Sequence, residues 1–248
     1  MDGTAPLASE TSDVPANAAP PKPLNQRQRR LLGVLIEKAR TTPDAYPLSL
    51  NGLVTGANQK SNRSPLMSLT AEQVEDELIK MREAGVVAEV HSGGRVPKYR
   101  HFGYDYLGVK GVEAGVMTEL LLRGEQTAGE LRTRASRFEP IADLATLDSI
   151  LKNLIERKLV ITLTPAGRGQ LFTHNLYLPD ELEYLKKRVA TRTEPTEIVD
   201  AGTPSRSLVA TTAASPGVQD DLDALREEVQ QLREEVKELR SLLEEFMA

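Results

Sequence analysis

The sequence predicts an α+β protein, mainly α with small β-hairpin wings, in which tandem winged-helix domains are followed by a C-terminal parallel coiled coil. Three observations predict it. The middle of the chain repeats itself, each copy reads helix, helix, helix, hairpin, and the end of the chain carries a heptad seam.

The repeat is most legible at its end. Residues 84–90 (AGVVAEV) align with residues 157–163 (RKLVITL), and the same offset pairs Val74 with Leu147, Leu78 with Leu151 and Met81 with Leu154. Upstream, Leu53 pairs with Leu131 and Leu35 with Leu121 if two loops are longer in the first copy. Matched apolar positions with variable loops are what a duplicated domain leaves behind. Two unrelated three-helix units would share no such spacing. The two domains are read as residues 24–106 and 107–188.

Taken in order, residues 1–23 are rich in Ala, Pro, Ser and Thr, a composition that predicts a disordered tail. They contain no basic segment followed by an apolar stretch, so no signal peptide is expected, and no apolar run is long enough for a membrane helix. The expected location is therefore cytoplasmic. In the first copy, RRLLGVLIEKA is a helix with Leu31, Leu32 and Leu35 on one face. The turn-rich TTPDAYP leads to a second helix in LSLNGLVTGAN. The third, TAEQVEDELIKMREA, has Thr70 as N-cap and Gly85 as its stop. VVAEVH and VPKYRHF then form the wing around residues 92–95. The second copy runs VMTELLLRG, TAGELRTRAS, LATLDSILKNLIERK, then LVITL and QLFTH around Thr164–Gly169. Residues 189–217 read as a flexible linker.

Residues 218–248 read as a dimeric coiled coil. Leu222, Leu225, Val229, Leu232, Val236, Leu239, Leu243 and Phe246 alternate at spacings of three and four. Valine at a with leucine at d favours two parallel strands. Asp221, Glu228 and Glu235 at g then face Arg226, Arg233 and Arg240 at e of the partner, whereas an antiparallel pair would set like charges together. The expected partner is thus a second copy of the chain, as a parallel homodimer.

The segments TTPDAYPLSLNGLVTGANQKSNRSPLMSL (41–69), VPKYRHF (96–102) and LLLRGEQTAGELRTRASRFEPIADL (120–144) resemble the uncharacterised bacterial YceH family. The likeness covers about residues 24–180. It implies paired winged-helix domains with no established activity, some members also ending in a heptad-patterned tail. It supports the fold and is silent on function.

No enzyme is expected. The chain has no cysteine, which excludes disulfides, thiolate metal sites and a cysteine nucleophile. Aromatics are only 4% of residues, and there is no HExxH and no GxSxG. His91, His101 and His174 lie at or beside wing strands and read as surface histidines. The glycines at 166–169 join two strands, where a phosphate-cradling loop would open a helix. No catalytic residue, metal site or cofactor is therefore assigned.

Binding remains. The whole chain is acidic, but residues 24–188 are mildly basic and the acid excess lies in 189–248. DNA-binding winged helices use the third helix and the wing. Here the first third helix carries Glu72, Glu75, Asp76 and Glu77, which repel phosphates. The candidate nucleic-acid contacts lie elsewhere: Lys60, Asn62 and Arg63 in the loop before that helix; Arg95, Lys98 and Arg100 on the wing; Arg132, Arg134 and Arg137 along TAGELRTRASR in the second copy; and Arg168 at its wing tip. Each has a structural alternative. Arg132 and Arg134 could pair with Glu130 or Glu139, and the polar run 58–63 could tie down its own loop. Two functions follow: a dimeric DNA-binding protein of regulatory type, or a protein–protein adaptor built on the same surfaces. In sedimentation, the full chain is expected to run as a dimer and a 1–190 truncation as a monomer; equal association states would refute the coiled-coil assignment.

Overall fold

The computed structural model describes residues 21–91 and 96–193; the turn with Arg95, and the heptad residues Leu222 to Phe246, lie outside the described residues. The described chain is mainly helical with two small antiparallel sheets. No helix among the described residues is long and apolar enough to cross a membrane.

The first copy runs α1 (Gln26–Thr41), β1 (Leu48–Ser49), α2 (Leu50–Ala57), α3 (Ala71–Glu83), β2 (Val87–Val90) and β3 (Lys98–His101). After a short α4 (Gly103–Leu107), the second runs α5 (Gly111–Arg123), β4 (Gln126–Thr127), α6 (Ala128–Ala135), α7 (Leu144–Glu156), β5 (Val160–Thr162) and β6 (Leu171–His174). A final helix, α8 (Pro179–Thr193), extends into the stretch read as linker. It is anchored there, since Leu185 and Val189 are buried. The strand orders β1-β3-β2 and β4-β6-β5 are the same, and Val87 opposite His101 matches Val160 opposite His174. The two-residue strands β1 and β4 are too short for any periodicity to announce them.

Helix ends are written locally. Asn25, Thr70 and Thr127 each accept from the backbone three residues on, while a Gln or Glu at that position bonds back to the cap. Ser49 and Asp143 cap α2 and α7. Helix α3 stops at Gly85, whose φ of 70° is left-handed, with the Val86 N–H returning to the Met81 carbonyl at 2.9 Å. Helix α7 stops the same way, Leu159 N–H to Leu154 carbonyl at 2.9 Å, but with Lys158 at φ 58° where the first copy has glycine.

The first helix was read as apolar on one face. In fact every residue from Arg29 to Glu37 is buried, and likewise Ala114 to Leu122 in α5. Helices α1 and α5 pack on each other as well as on their own copies, so one core runs through both. Gly33 sets the approach, because a Cβ there would lie 2.9 Å from Leu122 Cδ2. Gly33 to Glu37 (GVLIE) and Gly115 to Glu119 (GVMTE) are the corresponding stretches. The pairing of Leu35 with Leu121 is therefore about one helical turn out of register.

The two glutamates hold the copies together. Glu37 takes Arg63 at 2.5 Å, Arg137 lies 3.0 Å from both Glu37 and Glu119, and Arg123 Nε lies 2.8 Å from Glu119. Each copy thus has a glutamate in its first helix and an arginine after its second, and Arg137 bridges both glutamates.

The left-handed stops make a paired prediction. Lys158→Gly should raise the urea midpoint, by about 0.5–1 kcal/mol, by relieving a side chain held at positive φ. Gly85→Ala should lower stability by about 1 kcal/mol, since nothing crowds that site and only the backbone opposes a Cβ. Shifts of the same sign would refute the assignment.

Candidate binding clefts

Two clefts sit where the last strand of each copy hands over to the next helix. The larger, about 550 Å³, lies among the start of α1, residues Ser64 to Met67, the end of α5, His174 and α8. The smaller, about 490 Å³, lies among the end of α1, the end of β3 and the start of α5. The repeat relates them: His101 and Tyr104 line the smaller, and the corresponding His174 and Tyr177 line the larger.

Both histidines contradict the surface reading. His101 is 8% exposed and His174 2%; only His91 is on the surface. Each accepts a backbone N–H at Nδ1, His101 from Gly103 at 3.0 Å and His174 from Leu176 at 3.3 Å. Accepting at Nδ1 places the proton of the neutral ring on Nε2. Burial, with Arg100 nearby, lowers the His101 pKa to about 4, and burial with Arg29 nearby pushes His174 well below the usual histidine range. Tyr104 meets His101 edge-on at 4.9 Å, and Tyr177 stacks on His174 at 4.1 Å.

Arginines line the larger cleft. Arg29 bonds the Leu24 carbonyl and Glu181, each at 2.5 Å, with its guanidinium 4.5 Å from the centre of the Tyr177 ring. Arg30 bonds the carbonyls of Ala57 at 3.0 Å and Pro65 at 2.6 Å, but its buried Nε has no partner among the described residues. Burial, and then the nearby Arg63, lower the Arg30 pKa to about 10 against the pull of Glu37. Arg123 contacts Glu119 and Asn62, and Arg188 pairs with Glu125. The rim is apolar: Tyr184 is 69% exposed, and Leu66, between the lining residues Pro65 and Met67, is 63% exposed.

These contacts place the sequence-derived candidates. Arg63 is not a surface cation. All five of its N–H groups are used, on Gly56 O, Asn62 O, Gln59 and both oxygens of Glu37. Arg137 is held by the two glutamates and lies over the Phe138 ring. Arg134 pairs with Glu130 at 3.2 Å and bonds Gln126, and Arg132 reaches the carbonyls of Ile141 and Ala142. Glu139 goes to Arg40 instead, at 2.8 Å. Asn62 accepts from Arg123, while Asn58 bonds both the N–H and carbonyl of Leu69, so the polar run ties its own loop. Lys60, Arg100 and Arg168 are exposed, and Lys98 is half-buried. On α3, Glu72, Glu75 and Asp76 are exposed as read, but Glu77 is buried, accepting from Asn25 at 2.9 Å and Lys80 at 3.3 Å. Sequence reasoning missed Arg29, Arg30, Arg40 and Lys110. They carry no local pattern, and only the two buried histidines at matched positions pointed to the clefts.

Residues 24–169 match the family described as "Protein of unknown function, DUF480". A UPF0502 protein of Rhodopirellula baltica is 49% identical over 208 residues, spanning 84% of this chain and 86% of its own. The chain belongs to the DUF480/UPF0502 family. Other UPF0502 proteins are similar: one of Pelobacter propionicus is 50% identical over 134 residues, spanning 54% of this chain and 61% of its own. One of Geobacter sulfurreducens is 45% identical over 157 residues, spanning 62% and 72%. The DUF480 match contains the whole smaller cleft; His174, Tyr177 and α8 of the larger lie beyond it.

The neutral histidines make stability depend on pH. Unfolded, each takes a proton near pH 6.5, whereas folded His101 takes none until about pH 4 and His174 resists further. Their contribution is complete above pH 6.5 and is lost as pH falls, at about 1.4 kcal/mol per pH unit per histidine. Urea titrations from neutral pH down to pH 4 should show this slope. His174→Asn, which keeps an acceptor for the Leu176 N–H, should show about half of it. A pH-independent midpoint above pH 5 would refute burial of the neutral rings.

Proposed function

We propose that this protein is a tandem winged-helix adaptor that works by binding rather than catalysis, and that it docks a partner protein segment in the larger cleft. The observation that carries this reading is the cleft's composition, an exposed Tyr184 and Leu66 rim over the guanidiniums of Arg29, Arg30, Arg123 and Arg188. Tyrosine and arginine are among the residues that dominate binding energy at protein interfaces. Three of the four arginines face Glu181, Glu119 or Glu125 within the molecule, while the buried Nε atoms of Arg30 and Arg123 make no hydrogen bond among the described residues. The partner segment therefore supplies an apolar anchor for the rim and an acidic group beside Arg188, whose side chain is half-exposed at the cleft.

Two further facts favour a protein partner over groove-reading of DNA. The exposed side of α3 presents Glu72, Glu75 and Asp76 beside the half-exposed Ile79. The Arg132–Arg137 group is engaged in internal contacts. A parallel homodimer through residues 218–248 would present the cleft twice and strengthen binding by avidity. One observation favours the second reading, DNA-backbone contact: Lys98 and Arg100 project from the same side of β3, away from the buried Tyr99 and His101.

A display library of short peptides against the full-length protein tests the proposal. Enriched peptides should share an apolar residue next to Asp or Glu, and Tyr184→Ala with Leu66→Ser should weaken them at least about tenfold. Both residues are exposed, so the variants should fold. No enrichment, or binding indifferent to these variants, overturns the docking cleft. Binding to mixed-sequence duplex that falls steeply with salt and is lost in Lys98→Gln/Arg100→Gln would move the function to the second reading.

A further inference from the structure

We infer that the smaller cleft, between the end of β3 and the start of α5, is an oxyanion site that takes the phosphate group of a small phosphate monoester. It is independent of the docking cleft, sharing no residue with it.

The first argument is charge. Arg100 and Lys110 line the cleft, both exposed, and neither pairs with a carboxylate among the described residues. Elsewhere the described arginines are mostly committed to carboxylates or carbonyls. Here one guanidinium and one ammonium face the same concavity, with Asp105 the only acid among the lining residues. Arg40 also lines it but is held by Glu139 and the Gly111 carbonyl, so it fixes the start of α5 rather than adding a free cation.

The second argument is the helix start. Helix α5 has thirteen residues, and its N-cap, Lys110, makes no side-chain capping bond. Every other α-helix of eight or more residues from α1 to α7 is capped by Asn, Ser, Thr or Asp. Glu139, which bonds Arg40, lies against this helix start, its carboxylate oxygens 3.5 Å from where a Gly111 Cβ would be, and Gly111 itself has a left-handed φ of 51°. First-turn N–H groups and the helix dipole suit an anion.

The third argument is independent of both. His101 is more than nine-tenths buried and lines the cleft. Its Nδ1 is used by the Gly103 N–H, so its Nε2 carries the proton as a donor with no partner among the described residues. His101, Arg100, whose guanidinium lies 5.1 Å from the centre of the Phe102 ring, Lys110 and the start of α5 thus line one cleft with donors of three kinds. Several donor types match the several oxygens of a phosphate better than the two of a carboxylate. The cleft, at about 490 Å³, has room for the organic part of an ester, against Tyr104 and Phe102.

The test is a two-dimensional NMR titration of the full-length protein at neutral pH and constant ionic strength. The probes are inorganic phosphate and then adenosine monophosphate, with the His101 ring and the amides of Gly111, Val112 and Glu113 observed. Saturable shifts of these signals are expected, with the monoester binding about tenfold tighter than phosphate alone. Arg100→Gln/Lys110→Gln should abolish the shifts, whereas Lys152→Gln, on the exposed side of α7, should leave them unchanged. Shifts reproduced by chloride, or surviving in the double variant, overturn the site. The same signals moving only with a duplex whose ends are hydroxyls would also overturn it, assigning the cleft to phosphodiester instead.

Discussion

Everything described depends on the burial of two glutamates between α1 and α5. Glu37 and Glu119 are removed from water, and a buried carboxylate is tolerated only when paired and hydrogen-bonded. The pairing is supplied from loops. Arg63 follows α2, Arg137 follows α6, and the second lies against both carboxylates at once. Burial still pushes the Glu119 carboxyl up despite Arg137 and Arg123 beside it. Removing one partner from such a cluster typically costs 3–5 kcal/mol, roughly, because the other charge is stranded. The cluster favours one arrangement of α1 on α5, since each buried carboxylate must meet its arginines.

That arrangement has consequences at the surface. Arg63 is turned inward, and Arg132, Arg134 and Arg137 are tied by internal contacts, which leaves fewer uncommitted cations on the surface. It also explains why each copy ends in a cleft. Once the first helices lie face to face, each copy's last strand must leave past its own first helix, and the chain reverses around a buried histidine whose Nδ1 caps the turn. The two clefts then diverge because different helices follow. Helix α5 brings an uncapped start and Lys110 to the first; α8 brings Glu181, Tyr184 and Arg188 to the second. One duplicated turn thus produces a small cationic cleft and a larger mixed one.

Much of the fold was legible in the residues. Thr70 and Gly85 marked the ends of the third helix, and the matched apolar positions of α3 and α7 are buried as their spacing implied. Less was legible where a signal was short or non-local. Strands β1 and β4 have two residues each and exist only because β3 and β6 lie beside them. Helix α8 continues past the point where composition turned polar, because Leu185 and Val189 found a surface to cover. The repeat pairing of α1 with α5 falls a turn out because the central stretches of both helices are apolar on every side, so several alignments fit equally well.

By itself, then, the sequence determined the mainly helical class with small hairpins and the ends of several helices, since caps, turns and periodicity act within a few residues of one another. Only the tertiary structure decided which cations face solvent. Arg63 meets a glutamate 26 residues away and Arg137 one 18 residues away. Of the two only Arg63 is buried, and nothing in its local context distinguishes it from the exposed Lys60 or Arg100. A guanidinium is internal or external according to whether folding brings it a carboxylate and takes away its water, and that is a property of the packed helices.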